Sequence, residues 1–342
     1  MIGVKGKLSA EVLLEVKDLK TYFHLDEGVL KAVDGANLTV KRRKVLGLVG
    51  ESGCGKSVAA QSILRIVPSP GRIVGGRILF YRGEDALDLA TLDPFGDEIR
   101  NIRGREIAMV FQEPMTAFSP IHTIGFQIME AILLHRDANK KEAKNIAIEM
   151  LHKVGVPNPA QRMNEYPHQL SGGLRQRAMI AMALSCHPAL LIADEPTTAL
   201  DVTVQGQILR LMKELQEEFG MSLIFITHNL GVIAEISDEV AVMYLGKIVE
   251  YGDVMEIFCN PLHPYTAKLL RSVPTVGRQI KTRLDSIPGS VPLPINLPPG
   301  CGFYERCSEA KPGLCNCEDP PLFEARPGHL VRCFRVGSSP LP

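Results

Sequence analysis

The sequence predicts an α/β fold: a parallel sheet with a phosphate loop at one strand end, followed by a small Pro- and Cys-rich C-terminal domain. Three observations predict it. Short apolar runs alternate with stretches of helical periodicity. One such run, Val45-Leu46-Gly47-Leu48-Val49, leads into Gly50-Glu51-Ser52-Gly53-Cys54-Gly55-Lys56-Ser57, which fits G-x-x-x-x-G-K-[ST]. After residue 256 the composition shifts, with Pro261, Pro264, Pro274, Pro288, Pro292, Pro294, Pro298 and Pro299 breaking up the chain.

Residues 11–49 read as a β-rich start, with runs at Val12–Val16, Leu30–Val33 and Ala36–Val40. Tyr22 and Phe23 lie between the first two, as core packing or as a ring for a nucleotide base. The glycine-rich loop needs a strand before it and a helix after it. The apolar spacing of Val58, Ala59, Ile63, Leu64, Ile66 and Val67 supplies the helix, and Pro68 is expected to stop it. Gly53 and Gly55 let backbone N–H groups curl around phosphate oxygens. The helix N-terminus adds positive character. Lys56 should reach the β- and γ-phosphates, and the Ser57 hydroxyl should bind Mg²⁺.

Residues 68–106 are polar and turn-rich, which suggests an antiparallel edge region and then a loop. Ile107–Phe111 reads as a buried strand ending at Gln112. From about 120 to 185 the pattern is helical, broken at Pro157-Asn158-Pro159 and at the turn Ser171-Gly172-Gly173. A helix follows from Leu174 to about Cys186. Leu190–Asp194 is a strand ending in the paired carboxylates Asp194 and Glu195, and Leu223–Thr227 is a strand ending at His228. Val240–Leu245 and Lys247–Tyr251 flank Gly246 as a hairpin. In open α/β sheets ligands bind outside the C-terminal strand ends, so Gly50, Gln112, Asp194 and His228 are expected at one site.

The totals narrow the class. Lys plus Arg and Asp plus Glu are 38 each in 342 residues, which argues against nucleic acid held by a broad basic surface. No apolar run is long enough to span a membrane. Met1–Lys7 lacks an apolar signal core, so a cytoplasmic protein with reduced thiols is expected. Five of the eight cysteines lie between 301 and 333.

Together these motifs resemble the ATP-binding cassette (ABC) ATPases over residues 11–255. The resemblance implies a RecA-like core with an antiparallel β subdomain and a helical subdomain at about 113–180. It assigns the phosphate loop to 50–57, with Val58 beside it, and γ-phosphate and Mg²⁺ sensing to Gln112. Leu170-Ser171-Gly172-Gly173-Leu174-Arg175-Gln176-Arg177 matches the family's LSGGQ-type sequence. Asp194 would hold Mg²⁺ directly or through water, and Glu195 would polarise the attacking water. Thr198-Ala199-Leu200-Asp201 matches the D-loop and His228 the switch histidine. The adenine-stacking ring would be Phe23, with Tyr22 as second choice. Two cassettes of this family pair head to tail, each ATP lying between one phosphate loop and the partner's LSGG turn.

Residues 256–342 narrow the likeness to importers of dipeptides and oligopeptides, through Asn260-Pro261-Leu262-His263-Pro264-Tyr265-Thr266, Gly300-Cys301, Arg306-Cys307, Cys315 and His329–Cys333. The expected partners are a second homologous ATPase, two transmembrane permeases and, indirectly, an extracytoplasmic binding protein. The expected place is the cytoplasmic face of the cell membrane. Nickel or oligosaccharide is the alternative cargo. A repair or translation ATPase, or a metal-binding regulator fused to a degenerate ATPase, is the rival class. Arg43-Lys44 departs from the family's usual Gly-Glu, and Cys317 is an addition. Four thiolates suit a cluster or structural Zn²⁺. The spacing C-x₅-C-x₇-C plus seventeen residues lacks the C-x₂₋₄-C pairs usual for zinc. We therefore expect Cys301, Cys307, Cys315 and Cys333 to hold [4Fe-4S], with Cys317 as a substitute third ligand.

Overall fold

A computed structural model describes residues 11–113, 117–198, 200–272 and 287–336. Met1–Lys7, Ala199 and Pro274, which entered the expectations above, lie outside these. Among the described residues no helix is long and apolar enough to cross a membrane.

In chain order the strands are β1 (Val12–Leu25), β2 (Gly28–Lys41), β3 (Val45–Val49), β4 (Gly71–Arg82), β5 (Asp85–Asp88), β6 (Ile107–Val110), β7 (Leu190–Asp194), β8 (Ser222–Thr227), β9 (Glu239–Tyr244), β10 (Lys247–Asp253), β11 (Phe323–Arg326) and β12 (His329–Val331). The helices are α1 (Lys56–Ile63), α2 (Asp97–Ile102), α3 (Ile124–His135), α4 (Lys140–Lys153), α5 (Pro159–Arg162), α6 (Gly172–Leu184), α7 (Val202–Phe219), α8 (Leu230–Ile236), α9 (Val254–Cys259) and α10 (Pro264–Arg271). The chain divides into two compact units. One contains the described parts of Met1–Lys41, Val45–Thr91 and Thr227–Pro342; the other contains Arg42–Lys44 and Leu92–Ile226.

In the first unit, β2-β1-β4-β5 form an antiparallel sheet. Residues 71–88 form the expected antiparallel edge region, with β5 as the outermost strand, and the stretch expected to be a loop after them carries the short helix α2. β4 lies between β1 and β5, because Ile78, Leu79 and Phe80 are all buried, and consecutive buried residues need cover on both faces. The same unit pairs β3 with β9 in parallel, β9 with β10 in a hairpin, β12 with β10, and β11 with β12. All five residues of β3 are buried, as a parallel strand covered on both faces requires. The helix α1 stops before Pro68. Arg65 takes φ 56°, Arg65 N–H bonds Ser62 O and Ile66 N–H bonds Gln61 O, a left-handed C-terminal cap that closes the helix at Ile63.

In the second unit β7 runs parallel between β6 and β8. Every residue of β7 and β8 is buried. The expected helical stretch is present as α3 to α6. Asn139 caps α4 with a full capping box to Glu142, and Ser171 caps α6, which opens at Gly172 rather than Leu174.

Candidate nucleotide site

The phosphate loop leaves β3 in the first unit. Its glycines are set by close approach. A Cβ on Gly50 would lie 2.2 Å from the Met243 carbonyl oxygen. At Gly55, φ is +104° and a Cβ would lie 2.1 Å from the Ala32 carbonyl oxygen. Gly53 turns the loop at φ +80°. Gly246 N–H donates to Cys54 O at 2.8 Å and Asp34 N–H to Gly246 O at 2.9 Å, which fixes the loop to the neighbouring turns. Lys56 is 5% exposed. Its Nζ donates to Gly50 O at 2.8 Å and Glu51 O at 3.0 Å, so it is folded over its own loop. Burial pushes the Cys54 thiol pKa up, so Cys54 is an apolar filler beneath the loop. Ser52 is exposed, and Ser57 and Val58 are half-buried in the first turn of α1. That turn carries no acidic residue, which leaves its N-terminal charge for an anion.

Tyr22 and Phe23 are adjacent on β1 and so point to opposite faces. The Tyr22 hydroxyl donates to Asp34 Oδ1 at 2.5 Å, and Lys31 Nζ lies 5.7 Å from its ring centre. Burial, and then Asp34, raise the Tyr22 pKa. Phe23 packs at Gly71, where a Cβ would come within 2.6 Å of its ring. His228 is exposed directly after β8. The next residue, Asn229, caps α8 by accepting from Gly231 N–H and Val232 N–H.

In the second unit the structure brings Gln112 and Glu195 together. Gln112 Nε2 donates to Glu195 Oε2 at 3.1 Å, and the Thr198 hydroxyl donates to the same oxygen at 3.0 Å. Glu195 takes φ 45° and its N–H bonds Ile226 O at 2.9 Å. A non-glycine residue in this left-handed region is strained, and such strain clusters at functional positions. Asp194, at the end of β7, is 5% exposed. The Ser171 hydroxyl accepts from Leu174 N–H at 3.4 Å, and the Asp201 carboxylate accepts from Val204 N–H at 3.0 Å. A Cβ on Gly173 would lie 3.0 Å from Val204 Cγ1, so the LSGG turn packs closely on α7. Arg175 Nε bonds Leu170 O at 3.0 Å and fastens the turn from behind.

A family model described as "ABC transporter" matches residues 33–198, and one described as "Oligopeptide/dipeptide transporter, C-terminal region" matches residues 249–315. The probable peptide ABC transporter ATP-binding protein y4tR of Sinorhizobium fredii is 50% identical over 327 residues, 95% of this chain and 96% of that protein. The chain belongs to the ABC transporter ATP-binding family. The oligopeptide transport ATP-binding protein AppD of Bacillus subtilis is 49% identical over 94% of this ABC ATPase and 96% of its own length. Among solved structures, the dimeric post-hydrolysis state of the ATP-binding cassette MJ0796 bound to ADP and Pi aligns at TM-score 0.63 and 26% identity, covering 71% of this chain and 99% of that one.

The expected iron–sulfur cluster, and the zinc alternative, are corrected by the structure of this ABC ATPase. Among the described residues no group of three or more His, Cys, Asp or Glu is placed to hold a metal ion. Burial pushes the Cys301 thiol up to about 11 and raises Cys307 and Cys333 as well. Cys315 Sγ accepts the Lys311 N–H at 3.4 Å, and Cys317 is exposed. The spacing argument counted sulfurs without their environment.

Three residues escaped the sequence reading. Thr198 shares the Glu195 carboxylate. Tyr265 and Arg306 bond Glu51 of the phosphate loop. Tyr265 and Arg306 lie in stretches that carry the family resemblance, and nothing in the sequence links them to Glu51, 214 and 255 positions away.

Proposed function

We propose that this ATPase powers a binding-protein-dependent importer of dipeptides or oligopeptides from the cytoplasmic face of the cell membrane. The observation that carries the reading is the combination in one chain of a glycine-built phosphate loop with a C-terminal region of the oligopeptide/dipeptide transporter type. Residues 11–255 form the cassette and 256–342 the transporter-type region. The loop N–H groups of Ser52 to Ser57 and the Lys56 ammonium bind the ATP phosphates. Phe23, or Tyr22 as second choice, stacks on adenine. The Ser57 hydroxyl, the Gln112 amide and the Asp194 carboxylate are hard ligands that suit Mg²⁺, which neutralises phosphate charge when bound. Glu195 polarises the attacking water, with Gln112 and Thr198 orienting its carboxylate, and His228 contacts the γ-phosphate. Ser171, Gly172, Gly173 and Asp201 serve the ATP of a homologous partner cassette, and two permeases carry the cargo path.

The test is co-purification from native membranes with the permeases and the cargo-binding protein, followed by mass spectrometry of the bound cargo. Peptides are expected. Nickel or an oligosaccharide in the binding protein overturns the cargo assignment, and recovery of the chain without any permease overturns the importer reading.

A further inference from the structure

We propose that Arg306 and Tyr265 are positioning residues for ATP binding: through Glu51 they hold the first turn of the phosphate loop, so the C-terminal region sets this protein's nucleotide affinity. The proposal rests on the assignment of residues 50–57 as the phosphate loop.

The geometry is specific to Glu51. Its N–H donates to the Tyr265 hydroxyl at 2.9 Å. Its carboxylate receives Arg306 Nη1 at 2.7 Å and Nη2 at 2.9 Å, the two-pronged form of an arginine–carboxylate pair. Its carbonyl receives Lys56 Nζ at 3.0 Å. Every backbone and side-chain polar group of Glu51 is therefore used. The first two bonds come from residues more than 200 positions away along the chain.

Arg306 is held as firmly as it holds. It is 6% exposed. Nε donates to Pro288 O at 2.9 Å, Nη1 also to the Tyr244 hydroxyl at 3.3 Å, and Nη2 also to Gly289 O at 3.3 Å. With the two bonds to Glu51 this uses the full five-donor fork of the guanidinium. The guanidinium lies 5.8 Å from the Tyr244 ring centre. Tyr265 is fully buried and packs with Tyr244 and Phe303 at ring-centre distances of 4.7 Å and 5.4 Å. The clamp is thus mounted on an aromatic cluster, and one rigid assembly sets the position of the loop's first residue.

A phosphate loop binds through several N–H groups aimed at one anion, so affinity depends on the loop being shaped before the nucleotide arrives. When Glu51 is released, Lys56 keeps a partner that can move. The loop then samples shapes in which the N–H groups diverge, and binding carries the ordering cost. Arginine matters for its fork: lysine supplies the charge but only one point of attachment.

The experiment is titration of the full-length protein with fluorescent mant-ATP, together with steady-state kinetics of the assembled transporter. Arg306→Gln and Glu51→Gln are expected to weaken binding about tenfold or more, and in Arg306→Gln the KM for ATP should rise with kcat within about twofold of wild type. The double variant should match the singles, since both remove one interaction. Arg306→Lys should fall between. Tyr265→Phe keeps the aromatic cluster and deletes only the acceptor for Glu51 N–H, so it decides the matter if Arg306→Gln does not fold; a several-fold loss is expected. Unchanged affinity in folded Arg306→Gln, or in Tyr265→Phe, overturns the proposal, as does a loss confined to kcat. Wild-type protein that binds no mant-ATP overturns the phosphate-loop assignment itself, and the proposal with it.

Discussion

Acid should loosen this protein at one identifiable histidine. His263 is 2% exposed and caps α10, its Nδ1 accepting the Tyr265 N–H at 3.0 Å. A second proton would have to go on Nδ1, which faces that N–H donor. Burial lowers its pKa from 6.5 to about 4, the Arg332 charge adds to the lowering, and the Glu250 carboxylate and a hydrogen bond to the Arg332 backbone oppose it only in part. The unfolded chain therefore takes up a proton that the folded chain refuses between pH 6.5 and 4. Stability from this group is complete above pH 6.5 and falls as pH drops toward 4. At about 1.4 kcal/mol per pKa unit, the full span is worth about 3 kcal/mol, of which about 2 kcal/mol is gone by pH 5. Urea unfolding of the full-length protein at pH 7, 6, 5 and 4.5 measures this. His263→Asn keeps a capping side chain and has nothing to titrate, and other acidic groups cancel between the two proteins. The wild type should lose about 2 kcal/mol more than the variant between pH 7 and 5. Parallel stability curves would refute the reasoning.

Three further outcomes are expected. Glu195→Gln should lower ATP turnover by about 10²–10⁴-fold while mant-ATP still binds; near wild-type hydrolysis would falsify the water-polarising role. Ser171→Arg should leave nucleotide binding by the isolated chain intact and stop hydrolysis at the partner's phosphate loop, read by single-turnover hydrolysis in the assembled transporter; turnover at both sites would remove the head-to-tail arrangement. Arg43 stands at φ 58°, so Arg43→Gly should stabilise the fold by about 0.5–1 kcal/mol in urea unfolding, the left-handed strain outweighing the added chain entropy; a loss of stability would contradict it.

Much of the site was legible because its parts are local. A glycine that must approach a carbonyl, as Gly50 and Gly55 do, leaves a fixed spacing in the sequence. So does an apolar strand ending in Asp194-Glu195. The pairing of Gln112 with Glu195 follows from their placement at the ends of β6 and β7, which run side by side. What was not legible depends on long-range burial. The end of α1 was assigned to Pro68 because proline is a visible breaker, whereas Arg65 closes the helix in a conformation with no marker in its side chain. The cysteines between 301 and 333 looked like ligands by number, but among the described residues no group of three or more His, Cys, Asp or Glu comes together to hold a metal ion. The bonds from Tyr265 and Arg306 to Glu51 join residues brought close only by the finished fold.

The pairing of β12 on β10 and of β11 on β12 has a consequence for how this chain behaves among its own copies. β10 is seven residues long with five of them buried. Bare, it would offer a row of open backbone groups beside apolar side chains, a template on which another chain adds a strand. The C-terminal hairpin covers that row. It replaces it with β11, only four residues long, whose Glu324 and Arg326 are exposed. Charge and shortness both discourage strand addition. A chain cut before Phe323 would keep all of its nucleotide-binding residues and lose this guard, and it would collect as aggregate.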